Sequence, residues 1–413
     1  MSCRIIHGEV PGALADLIDS SIDGCVTDPP YGIGFMGKEW DTFKPRSVEY
    51  QRKRARKTFT EQVTNPNLKG RIGWMAGQPI TYDESLTGKR KFQAWTETWA
   101  REVLRVLKPG GYLLCCGHPR SNHRMACGVE DAGFEVRDAV LWIFGTGFPK
   151  SHNLRGKFQG WGTALKPGWE PILMARKPLI GTVAANVERF GVGALNIDAS
   201  RIQTEDALRG SGQPPMSFRG ENARPFHEAS RERRYADQGG TNFAATPGPR
   251  GGDIRGSWPA NVIHDGSAEI LQTFAEFGED KGAMAQATRR NADKFRNVFG
   301  AFSGTTESGR EPDGLGSAAR FFYCAKASRS DRDDGIARNN HPTVKPTELM
   351  RYLCALVTPP GGTVLDPFMG SGSTGRGALL GGFSFIGIER EAEYVEIARA
   401  RIRAIDSLFT EIV

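Results

Sequence analysis

No stretch of this 413-residue chain approaches the roughly 20 consecutive apolar residues that a membrane-crossing helix needs, which sets membrane spans aside. Residues 1–12 (MSCRIIHGEVPG) lack a sustained apolar run and a small-residue cleavage site, so they do not read as a signal peptide. The seven cysteines are odd in number and include no Cys-x-x-Cys pair. That argues against a disulfide framework and against structural zinc, and no metal site is assigned. No fixed-period repeat is visible, which excludes a solenoid. Acids are slightly the scarcer charge, 47 against 54 Lys+Arg, and the net +7 permits a polyanionic partner without requiring one. These absences describe a soluble, cytoplasmic chain. Its 39% hydrophobic content is enough for a real core. At about 100–200 residues per domain, the length predicts two or three units, or one catalytic domain with a large insertion.

Three zones succeed one another. Residues 1–184 alternate strand and helix signals. A strand over 23–28 runs into Pro29-Pro30, which ends it because proline cannot donate to a ladder. Phe92, Trp95, Trp99, Val103 and Val106 recur at helical spacing, an apolar stripe better read as core than as a cofactor box. That helix is expected to stop at Lys108-Pro-Gly-Gly111, with a buried strand over 112–116 and another over 136–144. Cys115 and Cys116 then read as packing residues. Between 42 and 92 stand twelve Lys/Arg against four acids, including Arg52, Lys53, Arg54, Arg56 and Lys57. An isolated basic run is most simply a solvated loop. Residues 185–320 are rich in Gly, Pro, Arg, Asn and Ser, and apolar patterning nearly vanishes over 205–255, which predicts long loops. Short ordered pieces are expected at 258–264 and 267–277. Residues 321–413 are regular: strand 362–368, a Gly-rich turn opening a helix to 380, strand 384–389 and an amphipathic helix 392–408. This β-α-β-α run builds a parallel sheet.

Two loops carry chemistry. After the first strand of that run, Gly370 and Gly372 allow close backbone approach to a ligand, and the helix beyond them offers free N–H groups. Glu389, at the end of the next strand, is placed to accept hydrogen bonds from ribose hydroxyls. NAD, FAD and S-adenosylmethionine sites all share this pattern, and a plain tight turn shares its first half; a P-loop is disfavoured because no Gly-Lys-Ser/Thr comes after the glycines. The other loop is Asp28-Pro29-Pro30-Tyr31. Its simplest meaning is a proline turn with a capping acid. Its chemical meaning is sharper, because an exocyclic amino group on adenine or cytosine is a poor nucleophile. Two acceptors, the Asp28 carboxylate and the Pro29 carbonyl, would bind its hydrogens and turn its lone pair toward an electrophilic methyl. The prolines remove competing donors, and Tyr31 would stack on the extruded base. A cysteine nucleophile for C5 chemistry would need Pro-Cys where Asp28 stands.

Asp28-Pro-Pro-Tyr31 together with Asp366-Pro-Phe-Met-Gly-Ser-Gly372 closely resembles the S-adenosylmethionine-dependent DNA amino-methyltransferases. His341-Pro-Thr-Val-Lys-Pro346 and Arg105-Val-Leu-Lys-Pro-Gly-Gly111 are similar to further segments of that family. The resemblance implies a Rossmann-like α/β sheet, mostly parallel with helices on both faces, plus an irregular inserted target-recognition region. It assigns catalysis to Asp28, Pro29, Pro30 and Tyr31. Cofactor contacts fall to Glu9, Thr343, Lys345, Asp366, Phe368, Gly370, Ser371, Gly372, Ser373, Thr374 and Glu389; for Lys345 the cofactor carboxylate is favoured over a helix cap. Arg52, Lys53, Arg54, Arg56 and Lys57 become DNA contacts on a segment that closes over bound DNA. The catalytic loop precedes the cofactor loop, as in the permuted β group. Residues 1–184 and 321–413 are then halves of one catalytic domain around a recognition region at 185–320. Segments 162–171, 194–198 and 258–263 resemble enzymes carried by phages and prophages in the bacterial cytoplasm. Asp rather than Ser before Pro-Pro-Tyr favours N6 of adenine over N4 of cytosine. RNA or protein-amide methylation, and a non-catalytic DNA-binding protein of the same fold, are the rivals. Double-stranded DNA is the expected partner, and a homodimer or a cognate restriction endonuclease is compatible with it.

Overall fold

A computed structural model describes residues 1–33, 86–145, 147, 153–202, 256–276, 319, 322–325, 329–336 and 339–405. Arg52, Lys53, Arg54, Arg56 and Lys57 lie outside them, as does 205–255. The chain divides into two compact units, one of 1–200, 260–270 and 323–413, the other of 201–259 and 271–322. In the second, Ile202 and Ser257 exchange backbone hydrogen bonds of 3.0 and 2.8 Å.

The first unit is built on nine strands: β1 (Cys3–His7), β2 (Ile22–Thr27), β3 (Leu107–Cys116), β4 (Glu135–Ile143), β5 (Trp169–Arg176), β6 (Val262–His264), β7 (Tyr323–Cys324), β8 (Thr363–Asp366) and β9 (Ser384–Glu389). The helices in chain order are α1 (Leu86–Val106), α2 (Asn122–Asp131), α3 (Val183–Phe190), α4 (Ala268–Glu276), α5 (Arg329–Asp333), α6 (Thr347–Val357), α7 (Ser373–Leu380) and α8 (Ala392–Arg403). None of them is long and apolar enough to cross a membrane.

The strands form one sheet in the order β1-β9-β8-β2-β3-β5-β4-β6-β7, and only β5 runs against its neighbours. Successive strand residues feed opposite cores, as a period of two requires. Val26, Leu114 and Val364 pack with α6, α7 and α8, whereas Cys25, Leu113 and Leu365 pack with α1 and α2. Helices therefore cover both faces of an α/β sheet. Phe92, Trp99, Val103 and Val106 are buried in the second of these cores, as their spacing implied, whereas Trp95 of the same stripe is only partly buried and also lines the cavity described below.

Lys108-Pro-Gly-Gly111 is not the connector that its composition suggests. It lies within β3, which pairs through Leu107 with Ile22 and then through Tyr112 with Gly24. The surplus residues bulge at Gly110, whose φ of +82° suits glycine. Asn186 fastens the bulge by donating to the Pro109 carbonyl at 2.8 Å. All seven cysteines are free thiols, with Cys115 and Cys116 buried in β3.

Candidate active site

The centre of the sheet sets the geometry of the site. Strands β2 and β8 are parallel neighbours with Gly24 beside Val364 and Cys25 beside Leu365, so the loops after them leave from one edge. The Thr27 hydroxyl donates to Asp366 Oδ1 at 2.6 Å and joins the two loop roots. Strands β1 and β9 are parallel to this pair and deliver Gly8-Glu9 and Glu389 to the same edge. Loops at the carboxyl edge of an open α/β sheet are where such folds bind ligands. A cavity of about 690 Å³ opens there. Asp28, Pro29, Pro30 and Tyr31 line it, and so do Glu9, Thr343, Lys345, Asp366, Phe368, Gly370, Ser371, Ser373, Thr374 and Glu389. Gly372 stands behind as the left-handed N-cap of α7, φ +82°, where a Cβ would meet Ala398 at 3.0 Å.

At one corner Asp28 is held from two sides. Tyr31 donates its hydroxyl to Asp28 Oδ1 at 2.6 Å, and Lys345 donates to Oδ2 at 2.8 Å. Lys345 also reaches the Tyr31 oxygen at 2.9 Å, and Glu170 Oε2 lies 3.3 Å from the ammonium, an ion pair not aligned as a hydrogen bond. Burial works against the Lys345 charge, but the carboxylates of Asp28 and Glu170 outweigh it and raise its pKa. Burial, with help from Asp28, also raises the Tyr31 phenol well above its ordinary value, so it remains a donor. Lys345 thus spends its ammonium on the Asp28 corner.

At the other corner, Glu389 is fixed by two backbone donors, Gly370 N–H on Oε2 and Glu391 N–H on Oε1, both at 2.8 Å. Each oxygen has a second lone pair for a ligand hydroxyl. Burial nonetheless raises its pKa. Gly370 has φ +52°, and a Cβ there would come within 2.8 Å of His341 Nε2. His341 stacks edge-on against Tyr394 with centroids 4.5 Å apart, and burial lowers its pKa to about 4, so the ring is neutral near pH 7. Asp366 is pushed up to about 6 by burial, against the hydrogen bond from Thr27 and the one from Phe368 N–H at 3.0 Å. Phe368 rests edge-on against Trp99 at 5.3 Å. Glu9 is at the rim, its side chain 3.4 Å from Arg390.

Three contributors have no role assigned to them from the sequence. Glu170, the second residue of β5, lies in the 162–171 segment that carries a resemblance but no predicted function. Arg401, in α8, is fully buried and donates to the Ser371 carbonyl at 2.7 Å and to the Ser373 hydroxyl at 3.2 Å, so it braces the glycine loop from behind. The aromatic wall of His118, Trp142, Phe144 and Trp169 comes from the ends of β3, β4 and β5. Only an arginine at an apolar helix position, as Arg401 is, leaves a trace in the sequence.

A family model described as DNA methylase, for N6 and N4 methyltransferases, matches residues 22–400. The type II methyltransferase M.HindIII of Haemophilus influenzae is 28% identical over 197 residues, 44% of this chain and 60% of that protein. M2.DpnII of Streptococcus pneumoniae is 48% identical over 64 residues, 16% of this chain and 24% of that protein. The chain thus spans less than two-thirds of either relative. Among solved structures, TTHA0409 of Thermus thermophilus, crystallised with S-adenosyl-L-methionine, superposes with a TM-score of 0.42 at 16% identity, covering 100% of this chain and 98% of that one.

Proposed function

We propose that this chain, which belongs to the N6/N4 DNA methylase family, transfers a methyl group from S-adenosyl-L-methionine to the exocyclic N6 of adenine in double-stranded DNA. The observation that carries this reading is the cavity shared by Asp28-Pro-Pro-Tyr31 and the 366–374 loop. The residues present fit the methyl donor. Glu389 offers carboxylate oxygens to ribose hydroxyls, Gly370 leaves room where a side chain would collide with His341, and Asp366 offers an acceptor near the loop root. When bound, the donor supplies a methyl made electrophilic by its sulfonium charge.

The chain's own residues do the rest. The base must leave the duplex, because its amino group is unreachable inside the stack. Asp28 and the Pro29 carbonyl accept the two amino hydrogens, which localises the nitrogen lone pair. Lys345 and Tyr31 hold the Asp28 carboxylate in one orientation, so much of the rate comes from alignment. After transfer the nitrogen bears a surplus proton that is strongly acidic, and the Asp28 carboxylate accepts it. In this reading 185–320 selects the target sequence, and Arg52, Lys53, Arg54, Arg56 and Lys57 neutralise phosphates. The Asp that precedes Pro-Pro-Tyr favours adenine over cytosine.

The test uses purified chain, labelled S-adenosyl-L-methionine and unmethylated plasmid DNA. Label should appear in DNA and, after digestion to nucleosides, as N6-methyladenine by mass. N4-methylcytosine would correct the base, and label confined to RNA or protein would overturn the substrate. Asp28→Ala should lose transfer by roughly a thousandfold or more while still binding the methyl donor. Wild-type turnover in that variant would refute the mechanism.

A further inference from the structure

The hairpin joining β4 to β5 is longer than that turn requires. Ile143 and Trp169 already face each other across the pair, and Phe144 N–H bonds the Gly168 carbonyl at 3.0 Å, so the strands are closed at that point. Residues 153–168 nevertheless extend beyond. They form a compact excursion, with Leu154 N–H on the Trp161 carbonyl at 2.9 Å, Gln159 N–H on Gly156 at 3.0 Å and Trp161 N–H on Phe158 at 3.1 Å. A built loop of this kind would ordinarily bury its largest side chains. Here Leu165 is 92% exposed, Trp161 70% and Phe158 49%. The same stretch carries exposed Arg155, Lys157 and Lys166 and contains no Asp or Glu. Its base is continuous with the cavity, which Pro167, Trp169 and Glu170 line.

Resting on the function proposed above, we infer that this excursion is a wedge into duplex DNA. Trp161 and Leu165 enter the base stack where the target nucleotide has left it, and Arg155, Lys157 and Lys166 hold the flanking phosphates. Three features favour DNA as the occupant over a protein. The charge is of one sign on a segment whose largest exposed side chains are apolar, which matches a polyanion with a hydrophobic interior. Apolar side chains are the groups that architectural proteins insert between base steps. The loop also departs from the rim of the pocket that must receive the extruded base. That proximity is what a device for stabilising the empty position in the helix needs.

The experiment begins by mapping the base that wild-type enzyme modifies in plasmid DNA, and placing that sequence in two synthetic duplexes. In one the target is normally paired; in the other it faces an abasic position and has no base pair to break, so extrusion costs less. The full-length Trp161→Ala/Leu165→Ala variant should lose roughly tenfold or more in kcat/KM on the paired duplex and less than about twofold on the abasic one. Trp161→Phe, in an otherwise wild-type chain, should keep most of the activity on both. With 2-aminopurine at the target, the double variant should show less of the fluorescence rise that accompanies unstacking. Equal loss on both duplexes, or no loss on either, would overturn the wedge. So would a change in oligomeric state by sedimentation without a difference between duplexes, since the patch would then serve a second copy of the chain. Failure of the wild-type enzyme to methylate any DNA would instead overturn the underlying function.

Discussion

Lys345 lies between two carboxylates in a nearly closed corner, and the charge balance there is what a substitution would disturb. Replacing it by methionine leaves Asp28 and Glu170 without their cation, a loss that costs about 3–5 kcal/mol for buried pairs. Glu170→Gln removes one of the two stranded charges. The pair of changes should therefore cost less than the sum, with a coupling of about 1–2 kcal/mol in urea unfolding; strict additivity would show that Glu170 does not feel Lys345. A second balance concerns pH. Buried His341 titrates near 4, whereas an unfolded histidine titrates near 6.5, so its contribution to stability is complete above about 6.5 and lost as pH falls toward 4. Asp366 works oppositely. Raised to about 6 from an unfolded value near 3.9, it contributes at low pH and loses that contribution as pH rises through about 6. The two slopes nearly cancel between pH 4 and 6. His341→Asn should uncover the Asp366 slope, so that the variant, unlike wild type, gains stability by roughly 2 kcal/mol as pH falls from 6.5 to 4. Urea midpoints across that range measure it, and parallel profiles for the two proteins would refute it.

Among the elements, α8 has a second task beyond covering the sheet. Val395, Ala398 and Ile402 bury its apolar side, and Arg401 joins them although it carries a charge. Burial, with Arg376 beside it, lowers the Arg401 pKa to about 10, a cost offset in part because its guanidinium donates to the Ser371 carbonyl, the Ser373 hydroxyl and the Asp331 carbonyl. Arg401→Met should loosen the 370–374 loop, weakening methyl-donor binding at least tenfold by titration calorimetry, while exposed Arg403→Met should change it less than twofold. Equal effects would deny the brace. The brace also marks a limit of what local sequence reveals. Strand β9, helix α7 and the start of α8 announce themselves by local pattern and glycines, and the Asp28 and Asp366 loops by their motifs. The antiparallel run of β5, which brings Glu170 to Lys345, depends on pairing with β3 and β4 and leaves no local signature. The bulge at Gly110 is hidden for a similar reason: Lys-Pro-Gly-Gly has the composition of a turn, and it becomes part of a strand through distant partners, the Lys177 backbone bonded to Gly110 and Gly111 and Asn186 bonded to Pro109.

For the molecule as a whole, strand order explains why residues from opposite ends of the sequence share one cavity: the first strand, β1, lies beside the last, β9, with β9 beside β8 and β8 beside β2. That arrangement provides a place for the chemistry but not an attraction for DNA, since a net charge of +7 over 413 residues is slight. On the proposed function the attraction must be concentrated, and the run from Arg52 to Lys57 holds five cations within six positions with no acid among them. Each phosphate neutralised contributes about 0.9 to the slope of log K against log salt. Converting Arg52, Arg54 and Arg56 to glutamate should therefore weaken binding to plasmid fragments and flatten that slope by about 3. The turnover rate at saturating DNA should stay near wild type, because none of the three is assigned a part in the chemistry. A slope equal to wild type would move DNA attraction elsewhere, and the cations of the 153–168 excursion would then be the next to neutralise.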